Sequence, residues 1–124
     1  MEKLTSYLLE FFKEAKGIWL FGSYADKTYS ENSDIDIAVY FNEDKSSLEI
    51  FKLKTELEFL LKKDVDLIDI KTANTVFQFE IVTKGIKLKT SKEVEDFENR
   101  VWWNYLTLQD DRKIILEDKT WIKL

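Results

Sequence analysis

Gly22-Ser23, ten intervening residues and then Asp34-Ile35-Asp36 is the stretch of this 124-residue chain whose reading decides the fold. The apolar run Ile18-Trp19-Leu20-Phe21 leads into it and reads as a buried strand ending at Gly22. Glycine tolerates positive φ and lets backbone approach a phosphate closely, and a serine hydroxyl at a helix start can hold phosphate oxygens. Residues 24–33 are polar and loop-like, with one helical turn expected after Ser23. From Asp34 to Phe41 the pattern alternates. Ile35, Ile37, Val39 and Phe41 fall on one face; Asp34, Asp36, Ala38 and Tyr40 fall on the other. This predicts a strand with one face in the core. Its two Asp side chains point to the same side, with Cβ atoms roughly 6–7 Å apart. Such a pair can converge on a hard cation such as magnesium, which takes oxygen ligands and keeps places for water and phosphate. Without a cation, like-charge repulsion would raise at least one of their pKa values.

Outward from that stretch the chain reads as alternating helices and strands. Leu4, Leu8, Phe11, Phe12 and Ala15 predict a helix over about 3–15, with Gly17 at its C′ position. Ser46 and Glu49 form a capping-box signature. Behind it, Ile50, Leu53, Leu57, Leu60 and Leu61 make a helical stripe. Val65 to Ile70 is a third strand. A helix follows over about 74–84, with Val76, Phe79 and Val82 inward and Gly85 as its stop. Ile86 to Leu88 reads as a short edge strand. From Ser91 the pattern is helical for a long way, with Val94, Phe97, Val101, Leu108 and Ile115 at near-heptad spacing. The fold class is α/β: a small mixed sheet flanked by helices, with a long C-terminal helix.

Composition narrows the chemistry. Cysteine and histidine are both absent, so thiolates, imidazole bases and the commonest metal ligands are excluded. The net charge of −5 argues against a broad grip on nucleic acid, which needs clustered cations. The chain shows no signal peptide and no apolar run long enough to span a bilayer. Its expected location is the cytoplasm. A third carboxylate would complete a metal site. Period-2 alternation puts Asp64 and Asp66 on one face of the third strand, and Asp69 on the other beside Val65 and Leu67. Asp66 is the choice, with Asp64 its rival at the strand entry and Asp69 a structural residue. Trp102, Trp103 and Tyr105 are core residues or a partner surface, and Lys52, Lys54, Lys62 and Lys63 read as a solvated helix face.

Gly22-Ser23, Asp34-Ile35-Asp36 and Val65-Asp66-Leu67 together resemble the minimal nucleotidyltransferases of the DNA polymerase β-like superfamily. The resemblance covers most of residues 1–90, including the helix end at Gly85. It implies a single nucleotidyltransferase domain over 1–124, with a core of about 1–90 and a C-terminal helical segment of about 91–124. It also implies that Asp34 and Asp36 bind Mg2+ and the phosphates of ATP. Asp66 would be the third catalytic carboxylate and metal ligand, and Gly22 and Ser23 the nucleotide-binding turn. Small members of the family are often antitoxins paired with an all-helical HEPN toxin, and some transfer AMP from ATP to a tyrosine hydroxyl on it. That partner, a hetero-oligomer with it, and no membrane or direct nucleic-acid substrate are what the resemblance leads one to expect. Two alternatives stand beside this: an antitoxin that neutralises by binding alone, and nucleotidyl transfer to a small-molecule hydroxyl. Where family members carry Arg after the Ser, and a basic residue with Gly further on, this chain has Tyr24 and Asp26-Lys27. The exchange removes positive charge and one flexible point.

Overall fold

The structure is a computed structural model that describes residues 2–30 and 32–117, with side chains through residue 108. In chain order it contains α1 (Glu2–Phe11), β1 (Gly17–Phe21), α2 (Ser23–Asp26), β2 (Ile35–Tyr40), α3 (Ser47–Leu61), β3 (Val65–Asp69), a 3-10 turn (Ile70–Thr72), α4 (Thr75–Lys84), β4 (Ile86–Lys89) and α5 (Lys92–Glu117). The strands form one mixed sheet in the order β3-β2-β1-β4. β1 pairs antiparallel with both β2 and β4, and β2 pairs parallel with β3 through the α3 crossover. A parallel neighbour requires such a crossover, because a tight turn can only reverse the chain.

Helices cover both faces of the sheet. On one face Ile18, Leu20, Ile35, Ile37, Val39, Val65 and Leu67 pack against Leu8 and Phe12 of the first helical segment and Leu57 of α3. On the other, Trp19 and Ala38 pack with Ile70, Ile81 of α4 and Val94, Phe97 and Val101 of α5. The expectation of one core face on β2 is therefore corrected: Ala38 is fully buried. Alternation could not show this, since alanine and tyrosine are neutral markers of burial while α5, far away in sequence, supplies the cover.

Local signals explain most element ends. Ser46 Oγ accepts the Glu49 N–H at 3.1 Å and Glu49 Oε1 accepts the Ser46 N–H at 2.8 Å, closing the expected capping box. Asn74 caps α4 through the Phe77 N–H at 2.8 Å. Gly85 stops α4 as expected, but in extended backbone rather than a left-handed turn. One helix end and two inward assignments are corrected. α1 ends at Phe11 and Gly17 is the first residue of β1, not a C′ residue. Val76 and Leu60 face outward, while Phe77 and Ile81 of α4 turn to the core. Ile115 lies outside the described side chains. No helix among the described residues is long and apolar enough to cross a membrane.

Gly17 has a packing role. A Cβ there would stand 2.5 Å from Val94 Cγ2, so only glycine admits the first turn of α5 so close to the sheet. Gly17→Ala should therefore destabilise the fold by about 1–3 kcal/mol through overpacking. In urea denaturation, adding Val94→Ala should cost less in the Gly17→Ala background than in wild type. Additive losses would refute the contact.

Candidate active site

The site is assembled by strand register at one end of the sheet. Asp36 lies opposite Phe21 of β1 on one side and opposite Asp66 of β3 on the other. Gly22 follows Phe21 directly and lies against Asp36. Its φ of 68° and ψ of −143° are open only to glycine, and a Cβ at this position would overlap Asp36 Oδ2. Asp34 sits just before β2, with the adjoining Ile35 N–H bound to the Asp64 carbonyl at 3.0 Å. The helices α4 and α5 cover the middle of this face. They leave Asp36 half-buried and Asp34 and Asp66 exposed.

The electrostatics are those of clustered carboxylates, with Lys54 of α3 attracted to Asp66 from the side. Burial first, and then repulsion from Asp66 and Asp34, hold the Asp36 carboxyl above its ordinary value. Asp69 faces the other side, where it is buried and accepts the Lys71 N–H at 3.1 Å. It is a turn residue, in line with its sequence reading. Among the described residues no three acidic side chains already stand at the spacing of a formed metal cage. The donor set still fits magnesium: all its candidate ligands are oxygens, and the cation binds readily with few protein carboxylates when phosphate and water complete its shell.

Ser23 opens α2, and its hydroxyl has no partner among the described residues. The Gly22 carbonyl accepts the N–H groups of Ala25 and Asp26 at 3.0 and 3.2 Å. The residues that depart from the family pattern have local tasks. Tyr24 is buried and stacks on Tyr29 with ring centroids 4.5 Å apart. The Asp26 carboxylate accepts the Thr28 N–H and hydroxyl at 3.2 and 2.7 Å, bracing the loop. Lys27 takes the left-handed conformation, φ 64°, at the end of α2. It thus provides in a non-glycine residue the backbone turn that a flexible residue would otherwise supply. A cleft of about 250 Å3 adjoins Gly22 between α2 and α4, lined by Phe21, Ala25, Phe77 and Ile81 among others. A larger one of about 420 Å3 lies on the opposite face among Leu4, Tyr7, Tyr24 and Ile35, away from the carboxylates.

Sequence reading missed one support. Glu58 of α3 accepts both Lys54 Nζ at 2.9 Å and the Val65 backbone N–H at 3.0 Å. The latter bond pins the first residue of β3 and so the position of Asp66. The backbone bond and the lysine both hold the Glu58 carboxyl below its usual range. The four-residue spacing of Lys54 and Glu58 was visible as a helical ion pair; the bond to Val65 needed the fold.

A mixed sheet with carboxylates at its end, facing a glycine-serine turn, defines a nucleotidyltransferase arrangement. The family model for polymerase beta-type nucleotidyltransferases matches residues 2–94. The protein adenylyltransferase MntA of Shewanella oneidensis is 35% identical over 117 residues, spanning 94% of this chain and 84% of MntA. A putative protein adenylyltransferase of Methanocaldococcus jannaschii is 40% identical over 67 residues, 54% of this chain and 72% of that relative. Among solved structures, a toxin-antitoxin crystal structure with AMP-PNP superposes with a TM-score of 0.81 at 32% identity, covering 92% of this chain and 96% of the other. An MNT antitoxin in complex with the tri-AMPylated HEPN toxin of Shewanella oneidensis gives 0.75 at 29% identity, covering 95% and 98%. The chain belongs to the polymerase beta-type nucleotidyltransferase family.

Burial of Asp36, with the repulsion from Asp66 and Asp34, has a measurable consequence. Because its folded-state pKa is raised, ionising it costs more in the fold than in the unfolded chain. The penalty is absent at low pH and sets in as pH rises above the ordinary value of 3.8. In metal-free buffer Asp36→Asn should therefore melt at a higher temperature than wild type at pH 7. The gain should shrink toward zero near pH 3. A lower melting temperature for the variant at pH 7 would contradict this.

Proposed function

We propose that this protein transfers AMP from ATP to a tyrosine hydroxyl of a partner HEPN-type toxin, and so acts as its antitoxin. The observation that carries the reading is the register that sets Asp36 beside Asp66 and beneath Gly22. The similarity to MntA over 94% of this chain supports the acceptor class, as does the superposition on toxin-antitoxin structures along nearly the whole length.

In this reading Gly22 and Ser23 hold the outer phosphates, the glycine by close backbone approach and the serine through its free hydroxyl. Asp34 and Asp36 would hold Mg2+, with Asp66 as a further ligand. Magnesium, when bound, neutralises the charge gathered on the triphosphate and the departing pyrophosphate. The acceptor oxygen forms a bond to the α-phosphorus as the bond to the β-phosphate oxygen breaks. Pyrophosphate carries away the electron pair, and Asp66 draws the proton from the tyrosine hydroxyl. The protein mainly positions reactants and arranges charge, as such transfers require. The pinning of Val65 by Glu58 keeps Asp66 in place without touching substrate.

A second reading, neutralisation by binding alone, draws on the outward Trp103, which is 70% exposed on α5. One experiment separates the two. Labelled ATP and magnesium are incubated with the protein and the product of the adjacent gene. Label should appear on a tyrosine of that product, vanish with EDTA, and fall by about a hundredfold or more for Asp36→Ala. If wild type and Asp36→Ala protect cells equally and neither transfers label, binding alone is the function.

A further inference from the structure

The outer side of α3 carries a feature that neither the core nor the candidate site uses. Leu48, Phe51 and Phe59 are 62%, 59% and 72% exposed, although the inner side of the same helix is already packed through Ile50, Leu53 and Leu57. Leu48, Phe51, Thr55 and Phe59 follow one another at intervals of three, four and four residues, which sets them along one side of α3 as a seam for another helix. Lys62 caps the end of that helix in the left-handed conformation, φ 58°. Thr55 Oγ1 donates to the Phe51 carbonyl at 2.9 Å, so its polar group is spent within the helix. Lys62 Nζ stands 4.9 Å from the centre of the Phe59 ring, and Lys52 shares the same side.

The charges indicate what covers this seam. No acidic residue occupies positions 48, 51, 52, 55, 59 or 62, in a chain whose net charge is −5. The acids of α3 lie elsewhere: Glu49 closes the capping box, Glu58 holds Lys54 and Val65, and Glu56 lies to the side of the seam. A second copy of the chain would set Lys52 and Lys62 against their own likes. Phosphate-rich surfaces, whether nucleic acid or anionic lipid, would be repelled by the acidic balance of the whole. An apolar seam edged by lysines fits a helix with an apolar stripe and carboxylates beside it. Placement agrees with this. α3 packs on the sheet face opposite the carboxylates, and its C-terminal end leads through residues 62–64 around the edge into β3, the strand that carries the exposed Asp66.

We propose that this face of α3 docks an acidic amphipathic helix of the acceptor protein and holds that protein at the β3 edge of the sheet, from which it reaches around to the carboxylates. The inference rests on the adenylyl-transfer reading for its choice of partner. The test uses the whole protein and the adjacent-gene product, with Phe59→Ser combined with Lys62→Glu. Both side chains are exposed and neither is in the candidate site, so melting temperature and MgATP binding should match wild type. The KM for the acceptor protein should rise about tenfold or more, as loss of an aromatic anchor does, with kcat little changed. Reversing acidic residues of the acceptor helix to lysine should restore the KM of the variant. An unchanged KM would overturn the proposal. So would a variant that loses only self-association or binding to anionic vesicles. If wild type transfers no label at all, the adenylyl-transfer reading falls, and co-purification then decides docking alone. A complex formed by wild type and lost in the variant supports the seam; one retained by both, or formed by neither, overturns it.

Discussion

Everything at the candidate site depends on the register of β2. Hydrogen bonding to β1 on one side sets Asp36 opposite Phe21, so that the following Gly22 meets it. Parallel pairing with β3 on the other sets Asp36 opposite Asp66. A slip of one residue would turn Ile35 and Ile37 out of the core and carry the carboxylates to the wrong face. The buried Ile18, Leu20, Ile35, Ile37 and Val39 therefore hold the site as firmly as any contact within it. Glu58 adds a lock at the start of β3.

That arrangement sets like charges together. The hydrophobic cores on the two faces supply the stability against which a half-buried Asp36 can be kept near two other carboxylates. Structures carry such tension where function requires it. Here it lies at the end of the sheet that α4 and α5 leave open.

Much of this was legible in the sequence. The Gly22-Ser23 turn, the alternation from Asp34, the opposed faces of Asp66 and Asp69, and the Ser46–Glu49 box are all written in local spacing. What escaped was non-local. Burial of Ala38 needs α5, the role of Gly17 needs Val94, and the support from Glu58 needs β3 beside the end of α3. Tyr24 and Asp26 read as lost charge near a triphosphate. In the fold one stacks beneath the loop and the other braces it. The helix end expected at Gly17 and the inward side expected of Val76 share a cause: an apolar residue near an element's end fits more than one face until the packing partner is known.

The role proposed for the acidic cluster under Gly22 is to receive a metal-nucleotide complex. Its most direct test is the melting temperature of wild type and Asp36→Asn with and without magnesium and a non-hydrolysable ATP analogue. Wild type should be stabilised by the two together and far less by the analogue with EDTA, while Asp36→Asn should show almost no magnesium-dependent shift. Equal magnesium-dependent stabilisation of both proteins would contradict the account.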